Sequence, residues 1–415
     1  MSFRRPALIA LLFVAARIPL LIVRAPFFDE LFTRWISAKP FAKIVSALRW
    51  DSGPPLYYFA VRLLGDPSVT MTRLLSLLCA AISLVLILRK NAIAALLFAV
   101  FPPAMLFAAD ARAYAMCAMF VTIAVLTVDD DRPFAAAFAL VAAAYSHYYG
   151  VLFFPILFLG RAGDRSAGGS PAGPPAARRR VYAFAIAVIL FLPGFSLALH
   201  QPAEARAWMR IAWPDVLFIR PPIAIAIIGA IAIAMSIRAN RYALMVLIPL
   251  LLAIALRVYV PLRFEAVIAA PFALWLAESL KQNRFRLALT TTLVAVCVVW
   301  TTLGILDHAG RPLDSYRQAA TWVATHIPPN ETVVATGYLY LETMMNGHPR
   351  VVAFPLEQAM HPGWRALPQP GLHSPTGAFF WIGERRAPEL GVLRRDRRII
   401  EPQFINDRAM VALVR

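Results

Sequence analysis

Asp29 and Glu30 stand side by side directly after the first apolar run, within Pro26-Phe27-Phe28-Asp29-Glu30-Leu31-Phe32. Two adjacent carboxylates among aromatics at the mouth of such a run are costly unless they face water or a site. A carboxylate held there can bind a metal, bind a cationic ligand or accept the proton of a nucleophile; the plainer alternative is a solvated loop start. A second polar cluster follows in Asp51-Ser52-Gly53-Pro54-Pro55-Leu56-Tyr57-Tyr58. It reads as a turn feeding a helix, with Pro54 and Pro55 suited to the helix start and Tyr57 and Tyr58 to a lipid–water interface.

Three further groups have the right chemistry for a polar site. Asp110-Ala111-Arg112-Ala113-Tyr114 follows a Pro102-Pro103 bend and is either a local ion pair with a snorkelling arginine or part of a site. His147, in Tyr145-Ser146-His147-Tyr148-Tyr149-Gly150, is either a hydrogen-bonded structural residue or a cleft residue. Arg263, behind Tyr259-Val260-Pro261, can hold a phosphate or anchor a helix end. Arg17, inside the first apolar run, either snorkels or pairs within the bundle. A divalent metal at Asp29, Glu30 and His147 is possible chemistry, but the spacing is no metal signature and the sequence requires no cofactor.

The elements that must position these groups are membrane helices. The chain has 415 residues, 60% of them hydrophobic, with mean hydropathy +0.65. That excess of apolar residues reads as a polytopic α-helical membrane protein. The net charge of +18 falls largely in short loops between apolar runs. Positive-inside topology accounts for it without a nucleic-acid partner. Cys79, Cys117 and Cys297 each lie in an apolar run and read as small buried hydrophobes. Arg4-Arg5 before an apolar stretch has the look of a signal sequence, but the long run without a small-residue cleavage site predicts an uncleaved first span.

Windows of apolar residues predict about eleven spans, near 7–23, 69–88, 91–108, 113–128, 133–147, 148–160, 181–199, 221–237, 242–259, 264–280 and 287–306. Those around 133–160 are short and have a natural break at His147 to Gly150. With the N-terminus inside, one set of loops holds Arg89-Lys90, Asp129 to Arg132, Arg161 to Arg180, Arg238 to Arg241 and Lys281 to Arg286. The other set holds Asp29-Glu30, Asp110 with Arg112, His147, Glu204 with Arg206 and Arg210, and Arg263. One parity therefore puts every candidate reactive group on the outer side.

The reading divides the chain into a membrane domain over 1–306 and an outer domain over 307–415. Within the first, 24–68 is an outer loop whose segment 53–65 lies as a helix at the membrane surface, and 161–180 is a flexible cytoplasmic loop. The outer domain alternates an amphipathic helix at about 315–327 with β-like runs at Thr332 to Ala335, Val351 to Phe354 and Ala378 to Ile382. It reads as a small α/β unit.

Taken in order, five segments resemble the GT-C superfamily of membrane glycosyltransferases. They are similar in particular to bacterial members of glycosyltransferase family 39, related to dolichyl-phosphate-mannose protein mannosyltransferases and to the aminoarabinose transferase of lipid A. The segments are Asp29-Glu30-Leu31-Phe32-Thr33, Asp51 with Pro54-Pro55-Leu56-Tyr57-Tyr58, Arg73-Leu74, Asp110-Ala111-Arg112-Ala113-Tyr114, and Ser146-His147-Tyr148-Tyr149-Gly150. They cover about the first 160 residues. Arg263 is a looser match. The chain departs from the family in having Gly53 where a His often precedes Pro-Pro-Leu, and Asp110 where a Glu often precedes the arginine.

The resemblance implies an inverting transfer of a mannose-like pentose or hexose from a polyprenyl-phosphate donor to a hydroxyl on a protein, lipid or polysaccharide. It would occur at the outer face of a bacterial inner membrane. It implies Asp29 as base with Glu30 beside it, and Arg112 and Arg263 on the donor phosphate. Asp51, Tyr57, Tyr58, Asp110, Tyr114 and His147 would line the sugar and lipid cleft. A transporter or flippase of lipid-linked precursors would also be polytopic and basic, but would place ionisable groups near the midplane, often within inverted repeats. A non-catalytic relative that binds lipid-linked sugar is the third reading, and Gly53 keeps it open.

Overall fold

A computed structural model of the chain describes residues 4–23, 26, 28–49, 51, 53–65, 68–160, 176–201, 223–238, 240–281, 283–309, 313–335, 343, 348–353, 378–384, 393, 399–405 and 409–415. The expected loop at 161–175, the charged residues Glu204, Arg206 and Arg210, and Phe354 lie outside these residues.

The first predicted span is two helices, α1 (Arg4–Ala15) and α2 (Ile18–Val23), rather than one. Arg17 sits at the break and is buried. Its guanidinium donates to the carbonyl of Phe13 at 2.8 Å and to that of Ala99 at 2.6 Å, and packs over the Phe13 ring. The Ala99 carbonyl needs this donor because the residue four places on, Pro103, has no N–H. That proline pair also divides the segment 91–108 into α7 (Ala92–Val100) and α8 (Pro102–Ala108). Arg17 therefore pairs inside the bundle and satisfies backbone groups freed by two breaks.

Between them, α3 (Phe28–Ser37), α4 (Phe41–Leu48) and α5 (Leu56–Leu63) are short helices in the expected outer loop. The long α6 (Val69–Lys90) starts on a Ser68 side chain that accepts from the Met71 N–H at 3.2 Å. After α9 (Tyr114–Asp129) and α10 (Pro133–Ser146), residues Tyr148–Leu159 form a 3-10 helix. At about 2.0 Å per residue this segment reaches about 24 Å, against about 18 Å for an α-helix of equal length. A run of helices follows: α11 (Ala176–His200), α12 (Ile223–Ser236), α13 (Arg241–Ala255), α14 (Arg263–Lys281) and α15 (Arg286–Ala309).

Among the described residues, three stretches, Val69–Lys90, Ala176–His200 and Arg286–Leu303, are long and apolar enough to cross a membrane. The main apolar core joins α6 to α10, the 3-10 helix, α13 and α14. Lipid supplies no hydrophobic drive between helices, so close packing must hold them. The alanines of α10 serve this: Ala136, Ala137, Ala143 and Ala144 are all fully buried.

After α15 come α16 (Leu313–His326) and a five-stranded sheet. Its strands are β1 (Val333–Ala335), β2 (Val351–Ala353), β3 (Phe379–Glu384), β4 (Ile399–Phe404) and β5 (Ala409–Val414), in spatial order β2-β1-β3-β5-β4. The β1 pairings to β2 and β3 are parallel, and β5 pairs antiparallel with β3 and β4. A shared core couples this region to the outer-loop helices. Leu31, Phe32, Trp35 and Ile36 of α3, with Ile44, Leu48 and Tyr58, pack with Ala319, Val323, Val333, Ile382 and Val411. The apolar neighbours of Asp29 and Glu30 are thus the docking face for the sheet.

Candidate functional site

The two adjacent acids have opposite surroundings. Glu30 has no exposed surface. Its carboxylate receives the Arg73 guanidinium in a two-pronged pair, Nε at 2.8 Å and Nη2 at 2.5 Å, and also the Ala111 backbone N–H at 2.8 Å. Arg73 donates as well to the Leu21 carbonyl at 2.9 Å. One buried ion pair thereby ties α2, α3, α6 and the Asp110–Ala113 turn together, with its hydrogen-bonding capacity well matched, as a desolvated pair requires.

Asp29 points elsewhere. Its side chain is 31% exposed and lies 3.7 Å from Arg112 Nη2 and 3.8 Å from Arg263 Nη2. Arg112 comes from the turn before α9 and Arg263 from the start of α14, so two arginines distant in sequence converge on one carboxylate. Arg112 Nη1 also reaches the Asp29 backbone carbonyl at 3.4 Å. Placement in the first turn of α3 suits the acids electrostatically, and the Thr33 hydroxyl donates to the Asp29 carbonyl at 2.8 Å.

Beside this group lies a cavity of about 310 Å³. Its polar lining includes Thr33, Asp51, Tyr58, Arg112, Ser146 and His147; its apolar lining includes Val151, Leu152, Phe191, Phe195, Leu256 and Val258. Tyr57 and Tyr114 line it too, whereas Asp29, Glu30, Asp110 and Arg263 do not. Asp110 is buried, and its backbone carbonyl accepts from the Arg112 N–H at 2.8 Å, which shapes the turn that presents Arg112.

The lining side chains are held firmly. The Tyr57 hydroxyl is hydrogen-bonded to Ser76 Oγ at 2.9 Å, so Tyr57 offers the cavity its ring. The Tyr58 hydroxyl donates to Asp51 Oδ2 at 3.3 Å. Burial, and then the Asp51 charge, hold that phenol well above its ordinary pKa, so it remains the donor. His147 Nδ1 accepts from the Tyr149 N–H at 3.2 Å, which requires that ring nitrogen to be unprotonated. The imidazole lies between the Tyr114 and Tyr149 rings, at 4.8 and 4.4 Å, and Arg263 sits 5.9 Å over the Tyr114 ring. His147 is therefore both a structural cap and a wall of the cavity. Among the described residues, no three His, Cys, Asp or Glu side chains form a group able to hold a metal ion.

Of the contributors that the sequence reading missed, two shape the cavity wall next to Tyr145 and Gly53. The first is α11, whose Phe191, Phe195 and Ala198 face the cavity. Pro193 interrupts this helix, and the Tyr145 hydroxyl enters the interrupted turn, accepting from the Gly194 N–H at 3.2 Å and donating to the Leu190 carbonyl at 3.0 Å. The second is Gln201, just past α11. It is 3% exposed, and its Nε2 donates to the carbonyls of Leu48 at 2.8 Å and Gly53 at 3.0 Å. Neither lies in a recognisable motif; the run of α11 positions at helical spacing was the only signal.

This arrangement, a helical bundle with short helices between its first two long apolar stretches and a terminal mixed sheet, is a fold shared with solved structures. The structure is similar to that of ArnT from Cupriavidus metallidurans bound to undecaprenyl phosphate, with a TM-score of 0.58 and 14% sequence identity over 98% of this chain and 97% of that one. The same protein in the apo state gives a TM-score of 0.56 at 14% identity, covering 97% of each chain. At that identity the likeness is one of fold. No protein-family model and no curated protein matches the chain.

Proposed function

We propose that the protein transfers a sugar from a polyprenyl-phosphate donor to a hydroxyl acceptor, with inversion, at the outer face of the inner membrane. The observation that carries this reading is the partly exposed Asp29 carboxylate between the guanidinium groups of Arg112 and Arg263, beside a cavity with both polar and apolar walls. A lipid-linked sugar needs this combination: cations for the phosphate, a base for the attacking hydroxyl, and apolar surface for the first prenyl units.

In the proposed reaction the donor phosphate enters beside Arg112 and Arg263 and takes over their pairing from Asp29. Asp29 then accepts the proton of the acceptor hydroxyl as that oxygen attacks C1 of the sugar. The bond from C1 to the phosphate oxygen breaks with its electron pair leaving on the phosphate, whose growing charge the two arginines stabilise. Attack opposite the leaving group inverts the anomeric centre. Glu30 is assigned a positioning role, since Arg73 and the Ala111 N–H occupy its carboxylate. The 1–306 membrane unit carries this chemistry, and the 307–415 unit governs the acceptor by packing on α3.

The test is transfer from radiolabelled undecaprenyl-phosphate sugars by the purified protein in lipid. Asp29→Asn is expected to lose at least about 100-fold in rate while inserting and binding lipid phosphate normally. Undiminished transfer by this variant overturns the assignment of the base. Failure of the unaltered protein to transfer or hydrolyse any donor favours a flippase or a binding protein.

A further inference from the structure

We infer that Gln201 reads the transferred sugar: its side-chain carbonyl accepts a hydrogen bond from a donor group on the sugar of the lipid-linked substrate. The inference rests on the proposed function for the identity of the ligand, and on the following geometry for the residue. Both ends of the amide are defined. The Nε2 hydrogens are committed to the Leu48 carbonyl, at the end of α4, and to the Gly53 carbonyl, before Pro54 and Pro55. Rotating the amide would set its oxygen against those two carbonyls, so the orientation is fixed. The carbonyl oxygen Oε1 is left buried, without a hydrogen-bond partner among the described residues. Gln201 lines the same cavity as Asp51, Arg112 and His147.

A buried acceptor with no partner is unfavourable and rare in native structures, and a ligand that supplies the donor removes the cost. The ligand's chemistry narrows what that donor is. The phosphodiester monoanion and the prenyl chain of the donor have no hydrogen to give. The attacking hydroxyl gives its proton to Asp29. The remaining donors are the hydroxyls of the sugar, or an ammonium if the sugar is an amino sugar. A polar site of this type discriminates strongly, because a sugar lacking the matching group leaves Oε1 unpaired.

The experiment compares binding of undecaprenyl phosphate alone with binding of undecaprenyl phosphate carrying arabinose, 4-amino-4-deoxyarabinose, mannose or glucose. It is followed by the monodeoxy series of the tightest binder. Binding is read by thermal shift on the full chain in nanodiscs, with radiolabel transfer measured in parallel. In the unaltered protein the sugar is expected to add affinity over lipid phosphate alone, and removal of one particular hydroxyl or amine is expected to cost about tenfold. Gln201→Met and the shorter Gln201→Asn are expected to lose that same factor for the parent sugar and to stop distinguishing it from the deoxy form. Affinity for lipid phosphate alone is expected to be unchanged in both.

Loss at an ammonium position rather than a hydroxyl identifies an amino sugar as the source of the donor. The inference is overturned if both variants keep the discrimination, if they weaken lipid phosphate and its glycosylated forms equally, or if no sugar adds affinity. A sugar-dependent gain that Gln201 controls, with no transfer detected, upholds the role of Gln201 and removes the proposed catalysis. Transfer without any sugar-dependent gain does the reverse.

Discussion

Asp29 and Glu30 share a peptide bond and almost nothing else. Successive helix positions lie about 100° apart, so the first turn of α3 sends Glu30 inward to Arg73 and leaves Asp29 to the arginines at the cavity edge. The two carboxamide variants should therefore separate stability from chemistry. Glu30→Gln leaves Arg73 buried without its counter-ion, and loss of about 3–5 kcal/mol is expected, read as a lower unfolding temperature in detergent. Asp29→Asn should leave that temperature near the unaltered value and remove transfer. Equal destabilisation by both would mean that Asp29 is also part of the scaffold. Arg112→Lys and Arg263→Lys test the phosphate side: each keeps a charge but gives up the fork that matches phosphate oxygens, and lipid-phosphate affinity should fall about tenfold in each. That carboxylates in this aromatic setting need partners or a site was legible from the sequence alone. Which acid turns inward and which stays partly exposed was not, because the partner of Glu30 lies 43 positions away and only the folded chain brings Arg73 to it.

At the scale of elements, the sequence showed where apolar runs lie better than how they are wound. Arg17 and the Pro102-Pro103 pair announce breaks once their carbonyl partners are known, yet a hydropathy window averages across both. The Tyr145-to-Gly150 segment shows the same limit. Its residues drew attention as candidate chemistry, while half of their work is packing. A Cβ on Gly150 would collide with the backbone of Ala143 and Ala144 in α10, so only glycine lets the 3-10 helix leave the end of α10 at this angle. Gly150→Ala should therefore fold poorly, with most of the protein lost on extraction and a clear fall in unfolding temperature in what remains. Tyr145→Phe should be milder. It removes the hydroxyl inserted at the α11 interruption, costs about 1 kcal/mol, and shifts Phe195 and Gln201 enough to weaken donor binding more than it weakens the fold. Thermal unfolding and donor titration on the same preparation distinguish the two effects.

Over the whole molecule, charged groups collect at two opposite ends of the same helices. At one end are Asp29, Arg73, Arg112 and Arg263. At the other, buried Asp129 pairs with Lys90 at 2.5 Å and with Arg241, and accepts from the Tyr242 hydroxyl at 3.1 Å, while Asp131 pairs with Arg179 and Arg180. The Asp129-Asp130-Asp131 run, anomalous among otherwise basic loops, is thus the counter-charge that clasps α6, α9, α11 and α13 together. From Arg73 to Lys90 the α6 helix rises about 25 Å, and α9 rises about 22 Å from Tyr114 to Asp129. Those spans approach the roughly 30 Å of a bilayer's hydrocarbon core, the separation expected of clusters at opposite membrane surfaces. Positive-inside topology predicts that the basic clasp stays in the cytoplasm; under the proposed function Asp29 and its cavity would then face out, toward a flipped lipid-linked donor. This orientation makes a sharp prediction in a background with Cys79, Cys117 and Cys297 replaced by Ala. Lys43→Cys, on the exposed face of α4, should react with a membrane-impermeant maleimide in intact spheroplasts. Asp130→Cys, on the clasp, should react only after the membrane is opened. The reverse pattern would place the candidate site in the cytoplasm, where a freshly made donor rather than a flipped one would be the substrate, and labelling of both residues in intact cells would mean that these clusters do not lie on opposite sides of a sealed bilayer.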